Sequence, residues 1–296
     1  MGEPGADGWT ERAAQAAFAS HRLIGWIFWD PGAIERYAAL GVPNGAGYYI
    51  ASRGAPLAPA GNGAVVASFF SIHAAFIGAS LDLARQHTSF DAVLEARDEA
   101  VGAGLRDFVP GLVEPLGALA EDLWAVVYDL DGSGRVLFAA HRDAPRRDDP
   151  AVDAWLAVNA IREWRGDSHW AIVMAAGLSG VQAGLLHDAW MGYPGEWIPR
   201  SRGADDDAIG IALADLERRG LATDGRVNDA GVALRQQIED DTDRVSEVPW
   251  RAYGAAATDA FVALMAEPGE ALLARIDETA GPNWMPAARE RRTPTH

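Results

Sequence analysis

The chain has 296 residues, with 49% hydrophobic and 23% charged side chains, enough for a large core or two domains. All 25 basic residues are arginine and there is no cysteine. Lysine Schiff bases, a P-loop lysine, disulfides and thiolate metal sites are thereby excluded. A formal net charge of −17 repels phosphate backbones and anionic membranes. No signal-peptide pattern opens the chain and no apolar run approaches 20 residues, so a cytoplasmic protein is expected.

Residues 1–8 are rich in Gly, Glu and Asp and read as frayed. A helix is expected from Trp9 to His21, with Thr10 as its N-cap, and Leu23 to Trp29 must be buried. Asp30-Pro-Gly stops that run, and Ile34 to Leu40 forms a short helix closed by Gly41. Gly45 to Pro59 reads as a loop whose one charge, Arg53, follows Tyr48 and Tyr49. That arginine either ties loop carbonyls together or faces an anion. Gly63 to Leu83 reads as one buried helix with His73 among its phenylalanines, a residue more often found hydrogen-bonded in a core than serving as a ligand. Amphipathic helices follow over Asp91–Phe108 and Leu112–Val127, with a turn at Asp131-Gly-Ser-Gly and scope for a short strand pair near 127–138. Ala144 to Pro150 reads as an exposed linker.

The densest chemistry lies in Trp155 to Trp170. A helical repeat (Trp155, Val158, Ile161, Arg162) carries Arg162, Glu163, Arg165, Asp167 and His169 within eight residues, flanked by tryptophans. Charges placed among apolar helices must pair internally or face a cavity, because isolated charges are too costly to bury. Two readings stay open: a network locking helices together, or a polar site roofed by tryptophan. Further on, a helix over Leu178–Trp190, another over Asp205–Arg219, a hairpin turning on Asp224-Gly225 and a long helix capped by Asn228 follow the order of a winged helix-turn-helix. The expected architecture is mainly α. It has a helical N-terminal domain (1–150), central connecting helices (151–176), a winged-helix-like domain with one small hairpin (177–250) and C-terminal helices with a tail (251–296).

Ser52-Arg-Gly-Ala-Pro-Leu57, Ile161-Arg-Glu-Trp-Arg-Gly-Asp-Ser-His169, Gly177-Leu-Ser-Gly, Leu216-Glu-Arg-Arg-Gly-Leu221, Asp229-Ala-Gly, Leu234-Arg and Asp241-Thr-Asp-Arg244 resemble an actinobacterial helix-turn-helix family. In that family a helical N-terminal domain precedes a winged-helix part, and the resemblance covers residues 12–265. His21, Arg53, Arg162, Arg165, Asp167 and His169 match its pattern. His73 departs from it, as do Trp164, Ala204 and Ile209, and the acid expected upstream of His21 is missing. The resemblance implies no particular reaction.

Residues 201–250 hold 12 acids against 6 arginines, and the helix ahead of the wing begins Asp205-Asp-Asp207. On that charge balance, duplex DNA is an unlikely partner. No metal motif and no cofactor motif occurs; no membrane contact is expected. The expectation is a cofactor-independent enzyme of small-molecule metabolism that cyclises, eliminates or substitutes on an anionic substrate. Asp167 and His169 would move protons, and Arg53, Arg162, Arg165, His21, His73, Trp29 and Tyr48 would bind substrate. The alternative is a non-catalytic sensor or a winged-helix regulator. Val262, Leu264, Met265, Leu272, Leu273 and Ile276 offer apolar surface for a homodimer or another partner.

Overall fold

A computed structural model describes residues 8–290, so most of the stretch expected to fray at the N-terminus lies outside the described residues. The architecture is helical throughout, apart from a single two-stranded antiparallel hairpin, Ala222–Thr223 with Arg226–Val227. The expected strand pair near 127–138 is absent among the described residues. Ala120–Asp129 and Val136–Arg142 are helices there, joined by an Asx turn in which Asp131 accepts from the Ser133 amide.

The organising element is the 26-residue helix Pro150–Ala175. Asp149 caps it by accepting from the Ala151 and Val152 amides, and Pro150 occupies the first helical position, where no amide is needed. Sixteen of its side chains are buried, on every face of its first three turns, so it is a core helix with neighbours all round rather than an amphipathic surface helix. Trp155 is fully buried and its indole donates to Leu23 O at 3.0 Å, pinning the central helix to the N-terminal helix Trp9–Gly25. The Trp124 indole does the same from the other side, donating to Asp153 O at 3.0 Å.

Several local expectations need correction. The N-terminal helix is not capped by Thr10, whose hydroxyl instead donates to Glu247, and Gly8 precedes the helix in the left-handed region. The stretch 45–59 is no open loop. Tyr48–Gly54 is a buried helical turn and a half, and it presents Arg53 inward. The apolar run 63–83 is broken into Asn62–Phe69 and Ala74–His87 at Phe70, which adopts φ +48. His73 consequently lies exposed at the start of the second helix rather than among phenylalanines, with its amide donating to Arg202 O at 2.9 Å. The segment 144–150 is also tied down: Arg146 pairs with Asp153 and Glu121, and Arg147 with the buried Asp98.

Downstream, the local chemistry and the fold agree. Ser179 and Gln182 form a reciprocal capping box at the start of Gly180–Met191. Asp205 caps Asp206–Arg218, and Asn228 caps Asp229–Val245. Asp224 and Gly225 both take positive φ, as a two-residue hairpin of this twist requires. Gly231 is needed for close approach, because a Cβ there would stand 2.4 Å from Leu221 O. These elements share an apolar cluster of their own, including Leu186, Leu216 and Ile238, which the central helix joins through Val173.

The C-terminal helices do not hold spare apolar surface. Met265, Leu272 and Ile276 are buried in the main core, and Val262, Leu264 and Leu273 pack against it; the last long helix, Ala266–Thr279, lies along the N-terminal helix. The surface put forward for a partner is thus largely consumed within the chain. No single helix among the described residues is long and apolar enough to cross a membrane.

Trp155→Phe tests the pin between the two core helices. It keeps most of the ring volume but leaves the buried Leu23 carbonyl unpaired. A loss of about 1–3 kcal/mol is expected from urea unfolding. An unchanged midpoint would mean that the indole contact contributes nothing.

Candidate functional site

The charged block does not sit between two helices. It occupies consecutive turns in the middle of one, because Gly166 continues the helix. Its residues leave the axis in different directions and so meet different partners.

Glu163 is 1% exposed and holds two guanidinium groups. Arg53 donates Nε and Nη2 to its two oxygens at 2.8 and 2.7 Å, and Arg162 donates Nη1 at 2.6 Å. Burial alone would raise the Glu163 pKa. The two arginines override it and hold the carboxyl well below the usual range. Gly166 flanks this pair: a Cβ there would lie 3.4 Å from Glu163 Oε2. Arg53 is further set by Tyr49 Oη at 3.2 Å and by the Phe69 ring, 4.5 Å from the guanidinium carbon. Its carbonyl accepts from His141 Nε2 at 3.0 Å, while His141 Nδ1 accepts from Asn159. Burial drives the His141 pKa down to about 4, so this ring is neutral.

Two residues on from Glu163, Arg165 leaves the helix on another side. It donates to Glu239 at 2.6 Å and to Asp243 at 2.9 Å, both on Asp229–Val245. Glu239 also accepts from Arg235 at 2.6 Å. His169 Nδ1 lies 2.9 Å from Thr242 Oγ1. That hydroxyl already donates to Ile238 O, so the imidazole is the donor and its Nε2 carries the lone pair. Arg162 Nε donates to His21 Nδ1 at 3.2 Å, which places the His21 proton on Nε2. Burial first, then the Arg162 charge for His21 and the Arg235 charge for His169, push both pKa values down, that of His169 to about 3.

These groups surround a cavity of about 610 Å³. Its walls include His21, Arg53, Arg162, Arg165 and His169, and also Arg202, Arg235, His187 and Trp190. Six arginines line it, Arg53 and Arg235 buried and Arg162, Arg165, Arg202 and Arg289 half-buried, against the carboxylates Glu11, Glu239 and Asp243 on its walls and Glu163 behind Arg53 and Arg162. Arg202 donates to Ser71 Oγ at 2.7 Å, and no carboxylate among the described residues lies within ion-pair distance of it. Asp188, behind it, binds the Ile198 amide, and burial lifts its pKa to about 7. Arg235 Nη1, Arg165 Nε and His21 Nε2 are buried with no hydrogen-bond partner among the described residues. Such groups are expensive to leave unpaired, and walls in which arginines outnumber carboxylates suit an anion.

Other residues singled out from the sequence lie elsewhere. The Asp167 carboxylate accepts from the Leu137 and Phe138 amides, both at 3.0 Å, capping the helix Val136–Arg142. It does not line the chamber. Trp29 and Tyr48 line a second cavity of about 330 Å³, which shares Tyr49, Ile72, Arg202, Met285 and Pro286 with the first. His73 lines neither. Sequence reasoning missed Arg202, Arg235 and Trp284 as lining residues. Arg235 lay within a quoted motif, Leu234-Arg, but an arginine on an otherwise polar helix face gives no sign of burial. Among the described residues no group of three or more acidic or histidine side chains is placed to hold a metal ion.

The family model described as "Helix-turn-helix family" matches residues 12–279 of the chain. The chain belongs to the helix-turn-helix family. No curated protein and no solved structure matches it. Membership overturns two expectations raised by the sequence, a cofactor-independent enzyme and DNA as an unlikely partner, and favours the alternative of a helix-turn-helix regulator. The charge count misled because net charge weighs the phosphate term alone; it says nothing of base contacts made by a few side chains. The enzyme reading leaned on a proton-moving Asp167/His169 pair, and Asp167 is engaged elsewhere as a helix cap.

Two outcomes are expected for this site. Glu163→Gln leaves two buried guanidinium groups short of their counter-charge and costs about 3–5 kcal/mol in chemical denaturation; a loss under about 1 kcal/mol would show that the network is solvated. Stability should also depend on pH. His141 and His169 have folded pKa values of about 4 and 3 against 6.5 unfolded. Unfolding therefore takes up protons, and stability is full above pH 6.5 and falls as the pH drops toward those values, by up to about 1.4 kcal/mol per unit for each ring. Asp167 and Asp188, raised by burial from an ordinary 3.8 to about 6 and about 7, work in the opposite sense and offset two rings; His21 and His187, also pushed well down by burial, add to His141 and His169 and leave the net fall toward acid pH. Urea midpoints that stay flat from pH 7 to 4.5 would contradict this.

Proposed function

We propose that the protein is a ligand-responsive winged-helix regulator, which binds an anionic small molecule in the arginine-lined chamber and reads DNA through the helix Asp206–Arg218 and its wing. The observation that carries the ligand half is the excess of arginine over carboxylate around a cavity of about 610 Å³, with Arg202 on its wall bonded to a hydroxyl rather than to a carboxylate. The DNA half rests on family membership and on the element order: Gly180–Met191, Trp197–Ser201, Asp206–Arg218, hairpin, Asp229–Val245.

The two halves share walls. Arg165 and His169 come from the central helix, while Arg235, Glu239 and Asp243 come from the helix after the wing. Gly180–Met191, which contributes His187 and Trp190, packs on both Asp206–Arg218 and Asp229–Val245. An anion bound to Arg235 and Arg165 would weaken their hold on Glu239, the carboxylate that joins the two segments. A ligand shifts an equilibrium only through such differential contacts.

The DNA-facing surface carries few cations. Arg219 donates to the Ala176 and Gly177 carbonyls, and Arg218 pairs with Asp215. Asp206 and Asp207 are exposed, and Glu217 is tied to the wing tip through the Gly225 amide. Exposed Arg226, on the wing, and Arg218 are the available phosphate contacts. Affinity is then carried by base contacts, with a small counterion term.

Selection from a random duplex library at low salt should enrich one sequence. For two phosphate contacts, log K against log salt should fall with a slope of about −2, and Arg226→Ala should reduce it by about one. Failure to enrich any duplex at low salt would sink the DNA half. A ligand-induced change in affinity for the enriched site tests the coupling.

A further inference from the structure

The second cavity gives the ligand a body as well as a charge. It adjoins the arginine chamber, the two sharing Tyr49, Ile72, Arg202, Met285 and Pro286 as wall residues, and its far walls are aromatic. Trp29 lies parallel to Tyr49, with ring centroids 5.8 Å apart and planes 16° apart. Trp284 meets Trp29 at 5.0 Å and Trp197 at 5.1 Å, the latter edge-on at 81°. These rings come from three distant parts of the chain: the turn after the N-terminal helix, the short helix Trp197–Ser201, and the segment that follows Thr279. Each is only half-buried, so ring faces and edges remain open to the cavity. Flat ring edges and faces select flat partners, because the quadrupole of an aromatic ring favours stacked and edge-to-face neighbours beyond simple area burial.

The junction itself is polar on one side. Arg202 borders both cavities and has no carboxylate partner among the described residues. Arg235, the most deeply buried arginine of the chamber wall at 5% exposure, keeps Nη1 unpaired with its guanidinium over the Trp190 ring at 4.6 Å. A molecule that spans the junction would place its anionic group among Arg235, Arg165 and His21, pass Arg202, and end between Trp29, Trp197 and Trp284.

We infer that the ligand is a planar aromatic acid, with its anionic group in the arginine chamber and its ring system in the tryptophan-lined cavity. This rests on the anion-binding reading above and adds the aromatic body to it. Carboxylate and phosphate share the required chemistry, bidentate acceptance from guanidinium, and differ in charge and in shape, one planar and one tetrahedral.

The test is calorimetric titration of the full chain with 2-naphthoate, 1-naphthyl phosphate, octyl phosphate and inorganic phosphate. The naphthyl probes should bind roughly tenfold or more tighter than octyl phosphate and inorganic phosphate, the factor expected from one stacked ring system. The stronger of the two naphthyl probes identifies the head group. Trp284→Ala should remove that advantage while leaving inorganic phosphate binding unchanged, and Trp197→Leu should do the same should the first variant fold poorly. Arg235→Gln should weaken every probe. If octyl and naphthyl phosphate bind alike to the unaltered chain, or if the naphthyl advantage survives in both tryptophan variants, the aromatic inference is overturned and the anion reading stands. If no probe binds, or if Arg235→Gln changes nothing, both are overturned.

Discussion

The structure depends on one buried carboxylate. Glu163 sits in the middle of a core helix with almost no solvent contact, and two arginines must converge on it for the charge to be tolerable. One of them, Arg53, comes from 110 residues upstream. Its helix, Tyr48–Gly54, is held by that pair, by His141 on its carbonyl and by Phe69 beneath its guanidinium. A pair so deeply buried contributes little net stability relative to an apolar core of the same shape. Its effect is on geometry: it fixes where the wall carrying Tyr49 stands relative to the central helix, and so sets the width of the chamber between them.

The same helix carries the second constraint from two residues on. Arg165 and His169 project toward Asp229–Val245 and meet Glu239, Asp243 and Thr242 there. The central helix is thus clamped at Glu163 to the N-terminal helices and at Arg165 to the helix that follows the wing. The first clamp is closed, with both carboxylate oxygens bound. The second is open, because Arg235 and Arg165 each keep a donor unused. The proposed anion therefore belongs with the second clamp rather than the first.

Much of this was legible in the sequence, unevenly. The capping signals at Ser179, Asp205 and Asn228, with the Asp224-Gly225 turn, located the winged-helix order, because those residues act through local backbone chemistry. The dense charge at Arg162–His169 marks a polar region, and Arg53 reads as an arginine that ties loop carbonyls or faces an anion, whereas its partner is the Glu163 carboxylate. What the sequence hid was direction. Asp167 and Glu163 differ by one helical turn and read alike, yet Asp167 caps a neighbouring helix while Glu163 anchors the network. His73 looked buried because the break at Phe70, a non-glycine residue with positive φ, has no local signature. Trp284 and Arg202 became wall residues only through tertiary contacts.

The acidic surface and the basic interior belong to one arrangement. A chain of formal charge −17 still gathers six arginines around one cavity, where they outnumber the nearby carboxylates. On the reading proposed above, an anionic ligand would be repelled at long range and held at short range. Long-range repulsion is screened beyond about 10 Å at 0.1 M salt, whereas the buried donors are screened far less. Added salt should therefore speed entry of an anion more than it weakens its hold. That is the reverse of a surface site built from exposed cations, where salt weakens binding by lowering the attraction at every distance. The use of arginine alone fits the same logic, since a guanidinium stays charged when buried and offers donors in a fixed plane, where a lysine in such a site would shift toward neutrality.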